Sequence, residues 1–348
     1  MKIALTCSSK DGLLQEYKNR FGHCAKENIP ADFFAEGDSF ETINAVKQAL
    51  TSKGHDVIGI EADAQAGDKL AEARPELVFN IAEGLFGDFR ESYIPMLCER
   101  LGLPYTGSDP LTLAICLNKA RAKEVMMCYN IPTADFKLFY PNELPQRIEF
   151  DFPAIIKPVA EGSSKGIFDD SVVTDEREAL EKISRNLATY RQPVLLEKFL
   201  TGEEFTVAVW GNGHEAEVLP IVAISYKELP VGAQPIYSYE AKWIWDTRDK
   251  PLDIFQCPAR ISQRQEEKIK VLVLSAYRIF GIRDWCRIDV RWDASGIPHV
   301  LELNPLPGIL PNPEDNSCFP KAARTAGYSY ADMINKVVVH AAKRYGLK

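Results

Sequence analysis

A carboxylate and an amide lie two residues apart near the C-terminus, in HVLELNPLPG (residues 299–308), which places Glu302 and Asn304 on one face of an apolar strand. The stretch CRIDVRWD places Arg287 and Asp289 on one face in the same way, and DASG between the two stretches predicts a hairpin turn. If the two faces coincide, a guanidinium meets three oxygen ligands of the kind that suits Mg²⁺, an ion that usually completes its shell with water and nucleotide phosphate. A face of solvated charges would give the same pattern.

Two other segments have residue types that suit a nucleotide. AEGSSKGI (residues 160–167) follows Lys157 at the end of an apolar strand, and its small residues let backbone N–H groups approach a phosphate, although the spacing is not that of a Walker loop. PVLLEKFLTGEEFTV could offer backbone hydrogen bonds to an adenine near Glu197 and Lys198, and a carboxylate to a ribose at Glu204. Each segment alone is also typical of an ordinary loop or a solvated strand edge.

The elements that must position these residues fall into three groups. Strands and helices alternate up to about residue 110, which predicts a doubly wound α/β domain over residues 1–116. Paired antiparallel strands flanked by helices predict an α+β module over residues 117–206. The strands FTVAVW, AEVLPIVAI, WCRIDVRWD and IPHVLELN, with two helices, predict a C-terminal α+β domain over residues 207–348.

Composition excludes several classes of protein. The chain has 348 residues, 46% hydrophobic and 26% charged, which is typical of folded soluble proteins and long enough for two or three domains. A net charge of −8 argues against a nucleic-acid partner. No stretch approaches the roughly 20 apolar residues of a membrane span, and no signal peptide is visible. Eight scattered cysteines without metal spacing predict reduced thiols and a cytoplasmic location.

Taken together, the segments resemble the ATP-grasp ligases, and within them the D-alanine–D-alanine ligases. The resemblance runs from about residue 75 onward through VFNIAEGLFGDFRES, LGLPYTGSDPLTLAICLNKARAKEVM, FPAIIKPVAEGSSKGI, LLEKFLTGEEFTV, YSYEAKW, RIDVRWD and LELNPLPG, in that order. It implies the three-domain ATP-grasp fold, with a doubly wound N-terminal domain before a central and a C-terminal α+β domain.

The resemblance also implies a role for each site residue. Asp289, Glu302 and Asn304 correspond to ligands of two Mg²⁺ ions, which Mn²⁺ could replace. Arg287 and Gly308 correspond to the groups that stabilise an oxyanion. The other implied positions hold ATP or cover it: Lys119 and Lys157 at the phosphates, Gly162, Ser163 and Ser164 in the closing loop, Glu197, Lys198, Phe199 and Leu301 around the adenine, Glu204 at the ribose, and Lys242 in the mobile lid.

The implied chemistry joins a carboxylate to an amine. ATP first phosphorylates the carboxylate to an acylphosphate, and an amine then attacks it while a lid excludes water. Amino-acid-like small molecules are the implied substrates, and a homodimer through the first domain is the implied assembly.

The half of the site that would bind those substrates departs from the family pattern. The first strand leads into TCSSKDGLLQEYKN, which has no Gly-Gly loop, and a longer segment continues to about residue 38. Glu83 stands where a histidine is usual, Arg90 lies within an altered GDFRES, and Trp243 replaces a tyrosine. The Ser-Leu pair expected after Gly308 is absent.

These departures predict a carboxylate–amine ligase whose substrates are not two D-alanines. An acidic Glu83 with Arg90 nearby suits a substrate that carries both ammonium and carboxylate and is larger than alanine. Amino-acid ligation to a mycosporine core in specialised metabolism is one example. Two alternatives stay open, a D-alanine–D-alanine ligase of peptidoglycan synthesis and a non-catalytic nucleotide-binding protein.

Overall fold

A computed structural model describes residues 1–22, 30–143, 146–247 and 249–347. Its first sheet is parallel in the order β2-β1-β3, with strands β1 Lys2–Cys7, β2 Asp56–Glu61 and β3 Leu77–Asn80. The helices around this sheet are α1 Lys10–Phe21, α2 Phe40–Thr51, α3 Ala66–Ala73, α4 Tyr93–Leu101 and α5 Pro110–Leu117. Ser39 caps α2 by accepting a hydrogen bond from the Thr42 amide, as the sequence predicts.

The second sheet is antiparallel in the order β4-β7-β5-β6. Its strands are β4 Phe136–Phe139, β5 Ala154–Pro158, β6 Val172–Val173 and β7 Val194–Lys198. Two helices accompany it, α6 Lys119–Cys128 and α7 Glu176–Tyr190, and α7 packs its apolar side against β5 and β7. One end of this sheet therefore presents the segment 160–167, which follows β5 directly.

The third sheet has the order β11-β10-β8-β12-β13, with β9 paired to β8. Its strands are β8 Glu204–Trp210, β9 Glu217–Val218, β10 Val222–Ile224, β11 Phe255–Gln256, β12 Trp285–Trp292 and β13 Pro298–Asn304. The helices of this part are α8 Gln263–Ile279, α9 Cys318–Thr325 and α10 Tyr330–Tyr345, with a short π-helical turn at Ala241–Trp245. Helices α9 and α10 pack with α2 on the first sheet, which joins the C-terminal end of the chain to its beginning.

Alternation along β8, β12 and β13 divides the third sheet into an apolar and a polar face. Val207, Ile288 and Val300 are fully buried against α8, in one core cluster with Ile269 and Val273. Because successive side chains point to opposite faces, the polar residues of the same strands point away from α8. Each strand thus contributes apolar side chains to the core on one face of the sheet and polar side chains to the opposite face.

The mixed α/β and α+β architecture confirms the predicted fold class. Two details differ from the sequence expectation. The stretch AEVLPIVAI forms β9 and β10 rather than one strand, because Pro220 has no N–H for the ladder. Strand β8 begins at Glu204 and pairs with β12, so it crosses the boundary expected at 206/207. In the described part of the chain, no helix has both the length and the apolarity needed to cross a membrane.

Candidate active site

The β12–β13 hairpin brings the predicted metal residues together. Arg287 pairs across the hairpin with Asn304, and Asp289 with Glu302, so all four side chains share the polar face. The Arg287 guanidinium donates to Asp289 at 3.1 and 2.9 Å and to Glu302 at 3.3 Å. A β-bulge after Asp289 leaves Leu301 as an extra residue opposite β12, and Leu301 and Glu302 both line the central cavity.

This cluster has the donor set that a hard divalent cation requires. Burial raises the pKa of Asp289, and the Arg287 guanidinium offsets this effect only in part. Burial would also raise the pKa of Glu302, but the charges of Lys119 and Arg287 outweigh it and lower that pKa. Two carboxylates that face each other with an amide beside them gain from a cation between them, so these residues fit Mg²⁺.

The two predicted phosphate lysines lie on either side of the cavity floor. The Lys119 ammonium donates to the Glu161 carbonyl and lies 3.4 Å from Glu302. The Lys157 ammonium lies 2.8 Å from a carboxylate oxygen of Glu197. The other oxygen of Glu197 is 2.7 Å from Lys123, a fully buried lysine that the sequence analysis missed because nothing nearby in the chain identifies it. Glu197, which is 1% exposed, therefore uses its carboxylate to bind Lys123 and Lys157. An adenine at the 197–199 hinge would hydrogen-bond to the backbone and not to this carboxylate.

Glu204 lies at the other end of the polar face, opposite Arg291 across β8 and β12. Its carboxylate accepts from the Arg291 guanidinium and from the Tyr226 hydroxyl, both at 2.8 Å. The Arg291 guanidinium also lies over the Phe199 ring, 4.6 Å from its centroid. Arg291 was not predicted, although its spacing of two residues from Asp289 places it on the same strand face. Arg291 therefore contacts both Glu204, the residue predicted at the ribose, and Phe199, a residue predicted at the adenine.

The loop 160–167, here called the phosphate loop, lies over the lysines. Ser163 and Ser164 both have positive φ angles, of 51° and 60°, which side-chain-bearing residues adopt at a cost of roughly 1 kcal/mol or more each. The Ser164 hydroxyl donates to the Tyr237 carbonyl at 2.8 Å, and the Trp243 indole donates to the Ser163 carbonyl at 3.2 Å. The phosphate loop is therefore bound to the 237–245 segment, which we call the lid.

Lys242 extends from the lid into the cavity, beside Arg287 and Glu83. Burial and the neighbouring Arg287 charge lower the pKa of Lys242, while Glu83 acts in the opposite direction. Gly308 lies at the cavity edge close to these groups, and its carbonyl accepts from the Ser317 hydroxyl at 3.1 Å. Three potential donors to a developing negative charge, Arg287, Lys242 and the Gly308 amide, thus border the same space.

A cavity of about 310 Å³ is lined by Lys157, the phosphate loop, the 197–199 hinge, Glu204, Lys242, Arg287, Asp289, Glu302 and Gly308. A smaller chamber of about 70 Å³ adjoins it between Lys119, Glu302 and Asn304. Residues on the wall opposite the nucleotide end come from the start of α1, the lid and three loops: Lys10, Trp243, Glu36, Asp38, Glu83, Ile309, Leu310 and Asn316. The residues implied for ATP and metal lie on strands of the sheets or beside them, whereas the proposed substrate end is built mostly from loops.

Glu83 is the free acidic group of this end. It lines both chambers, and no described residue hydrogen-bonds to its carboxylate. Burial and the carboxylates of Glu36, Glu91 and Asp38 raise its pKa well above the ordinary value, and Arg90 compensates only partly. A cationic group placed beside Glu83 would relieve this repulsion.

Arg90 does not reach the cavity, contrary to the sequence expectation. Its side chain is buried, and its guanidinium donates to both carboxylate oxygens of Glu36, at 2.9 and 3.0 Å, and to the Ala160 carbonyl at 2.8 Å. Glu161 lies 3.4 Å away. These partners use the donors that a substrate carboxylate would need.

Comparisons with known proteins agree with this geometry. The family model for the C-terminal part of D-Ala–D-Ala ligases matches residues 125–339. A D-alanine–D-alanine ligase of Cupriavidus pinatubonensis is 34% identical over 86% of this chain and 85% of its own length. The uncharacterized protein y4sG of Sinorhizobium fredii is 30% identical over 99% of this chain and 98% of its own length.

The fold is also that of a solved structure, a Bacillus anthracis D-alanine–D-alanine ligase complexed with ATP. It superposes with a TM-score of 0.71 over 99% of both chains, at 19% identity. The fold and the sequence matches together define the class as an ATP-grasp ligase, an ATP-dependent enzyme that forms an amide bond. Within that class, the chain belongs to the D-alanine–D-alanine ligase family.

Proposed function

We propose that this enzyme joins an amino acid, or an amino-acid-like carboxylate, to the amine of a second amino acid, and that its substrates are not two D-alanines. The reaction passes through an acylphosphate and releases ADP and phosphate. The observation that carries the proposal is the free Glu83 carboxylate, which faces the cavity a short distance from Lys242 and Arg287. An enzyme of specialised metabolism, such as one that ligates an amino acid to a mycosporine core, would use such a pair of substrates.

The nucleotide end prepares the carboxylate for attack. Lys119 and Lys157 bind the phosphates of ATP, Glu204 the ribose, and the 197–199 hinge with Leu301 the adenine. Asp289, Glu302 and Asn304 would hold two Mg²⁺ ions, or Mn²⁺ in their place, which neutralise charge on the transferring phosphoryl group. Glu197 supports this arrangement, because its paired contacts with Lys123 and Lys157 keep the latter lysine extended toward the cavity.

The second step takes place between the strand ends and the lid. Arg287 and the Gly308 amide donate to the oxygen of the acylphosphate carbonyl as the amine attacks it. Lys242, whose ammonium is buried in the same space, binds the carboxylate of the second substrate. The phosphate loop and the lid, joined through Ser163 and Trp243, exclude the water that would hydrolyse the intermediate.

Glu83 selects the substrate through charge. Arg90 is bound to Glu36 and Glu161, so it balances the negative charge around Glu83 only in part. An ammonium group of the substrate, placed between Glu83 and Asp38, supplies the missing positive charge. The substrates are small molecules, and a homodimer through the first domain remains a prediction from the family resemblance.

D-alanine–D-alanine ligation is the second candidate, and the activity of several relatives favours it. The Cupriavidus pinatubonensis protein and an Actinobacillus succinogenes protein, 33% identical over 84% of this chain, are both D-alanine–D-alanine ligases. In that case the rebuilt loops would contact the same two substrates in another way.

An ADP-release screen tests the proposal. Purified enzyme, ATP and Mg²⁺ are combined with pairs of D- and L-amino acids and with amino-acid-like natural products, and product mass identifies the amide. We expect turnover with a pair other than D-alanine plus D-alanine. Efficient dipeptide formation from D-alanine alone would establish the second candidate, and ATP binding without turnover on any pair would support a non-catalytic protein.

The Glu83→Gln substitution is expected to raise the KM of the ammonium-bearing substrate about tenfold or more and to leave the KM of ATP unchanged, because it removes one charge from the substrate end. Burial and nearby carboxylates raise the pKa of Glu83, so substrate binding by the natural enzyme should strengthen as pH rises and Glu83 ionises. This pH step should be absent from the variant. Glu99→Gln, on the exposed side of α4, is the matched control. An unchanged KM and pH profile in Glu83→Gln would remove Glu83 from the substrate site.

A further inference from the structure

Residues 30–38, here called the N-terminal strap, cross from the first domain to the phosphate loop. Two of its carboxylates accept hydrogen bonds from backbone amides of that loop: Glu36 from Gly162 and Asp32 from Gly166, each at 2.8 Å. These donors lie 126 and 134 residues from their acceptors in the chain. The loop that covers the phosphates is therefore attached to a segment outside its own domain.

Glu36 is buried between Arg90 and the phosphate loop. Its side chain is 3% exposed, and its two oxygens meet the Arg90 guanidinium. A Cβ atom on Gly162 would lie 2.7 Å from a Glu36 oxygen, so the carboxylate approaches the loop as closely as only glycine allows. Burial would raise the pKa of Glu36, but Arg90, Lys165 and the Gly162 amide outweigh it, and the pKa lies below its usual range. Glu36 is thus ionised while it holds the loop.

The rest of the strap supports the same attachment. Asp32 accepts a second hydrogen bond, at 2.7 Å, from the Tyr190 hydroxyl at the end of α7. The Lys165 ammonium lies 4.8 Å from the centroid of the Phe33 ring. The Tyr239 hydroxyl of the lid donates to the Ala31 carbonyl at 3.2 Å, so the strap contacts the lid as well.

Four side chains at this junction form an ion-pair network with two charges of each sign. Glu36 and Glu161 provide two negative charges, and Arg90 and Lys165 provide two positive ones within the same network. A carboxylate so compensated does not oppose the approach of a phosphate as a lone carboxylate would. The strap can therefore stay in place while ATP is bound.

The phosphate loop needs such support because its conformation is costly. Ser163 and Ser164 are consecutive residues in the left-handed region, and such residues persist only when their surroundings hold them. The lid holds one side of the loop through Trp243 and Tyr237. The strap holds the opposite ends, at Gly162 and Gly166.

We propose that Glu36 is a positioning residue for nucleotide binding: by joining Arg90 to the Gly162 amide, it keeps the phosphate loop in its closed conformation. Binding of ATP then depends on a first-domain residue that does not touch the nucleotide. The inference rests on the proposed function only in taking ATP as the nucleotide, and it holds for any amino-acid substrate.

Hydrogen exchange of the full-length chain without amino acids tests this role. In Glu36→Ala, the peptide that spans 160–167 should exchange about ten- to a hundredfold faster than in the natural protein, the loss expected for a hydrogen bond to a buried charged group. The dissociation constant of ATP, measured by calorimetry, should rise by about the same factor. Glu36→Gln keeps an acceptor for the Gly162 amide and should recover part of both effects.

Leu70→Ala is the control, because this buried α3 residue packs in a cluster with Ile60, Val78 and Cys98, so its truncation destabilises the first domain through a core that includes neither the strap nor the phosphate loop. It should leave exchange of 160–167 and ATP affinity unchanged. Unchanged loop exchange in Glu36→Ala, tighter ATP binding, or an equal effect of Leu70→Ala would each overturn the proposal. If the Glu36→Ala chain does not fold, Glu36→Gln decides by the same two measurements. None of these readouts requires the correct amino acid, so failure of the proposed substrates would not be mistaken for failure of this inference.

Discussion

Replacing Asp289 with asparagine is expected to lower turnover by at least about 10³-fold, equal to roughly 4 kcal/mol of transition-state stabilisation. The substitution removes a carboxylate that faces Glu302 across the hairpin, and with it the charge that would attract Mg²⁺. Because burial beside Glu302 raises the pKa of Asp289, the carboxylate is costly to the folded state. Asparagine relieves that cost, so the melting temperature should not fall.

Initial rates over a range of Mg²⁺ concentrations and thermal unfolding measure these effects. Excess Mg²⁺ should restore part of the activity, because the remaining ligands still bind the ion weakly. Glu302→Gln should behave in the same way. Asp293→Asn provides the control, since Asp293 accepts hydrogen bonds within the hairpin turn and does not line the cavity. Normal ligation by Asp289→Asn would show that the metal assignment is wrong.

Arg287→Lys is expected to lower kcat by about 10²- to 10³-fold, with little change in the KM of ATP. Lysine keeps the positive charge that balances Asp289 and Glu302. It lacks the forked guanidinium group of arginine, which contacts both carboxylates and can reach a reacting carbonyl at the same time. Phosphorylation of the carboxylate should continue, so the ratio of ADP released to amide formed should rise as water consumes the acylphosphate.

Arg291→Lys is the matched comparison on the same strand face. Arg291 contacts Glu204 and Phe199 at the nucleotide end, so its substitution should raise the KM of ATP and leave the ratio of ADP to amide unchanged. Equal effects of the two substitutions on kcat would contradict the separate roles given to Arg287 and Arg291.

Strand alternation allowed the hairpin to be predicted from sequence. The spacing of Arg287 and Asp289, and of Glu302 and Asn304, was enough to place each pair on one face, but the bulge after Asp289, which brings the two faces together, was not visible in the sequence. The fold class followed from the order of apolar stretches and from the family resemblance. The roles of the individual site residues stay predictions until the substitutions above are made.

Long-range pairing was not predictable in this way. Arg90 was assigned to the substrate because only its chemical type was visible, whereas its partners Glu36 and Glu161 lie 54 and 71 residues away in the chain. Lys123 and Arg291 were missed for a related reason. Nothing in the local pattern distinguishes a lysine that pairs with Glu197 from an ordinary charged residue, and the spacing of Arg291 from Asp289 gives its strand face but not its partner Glu204.

Leu301, the extra residue in β13, sets the spacing between two parts of the proposed nucleotide site. In a regular strand, Leu301 and Glu302 would point to opposite faces, and only one of them could reach the ligand. The bulge lets two consecutive residues line the same cavity, so a residue proposed for the adenine and a residue proposed for the metal are one peptide unit apart. Because Leu301 has no partner in β12, deleting it would leave Asp289 opposite Glu302 and Val290 opposite Val300, and would remove only the side chain proposed for the adenine.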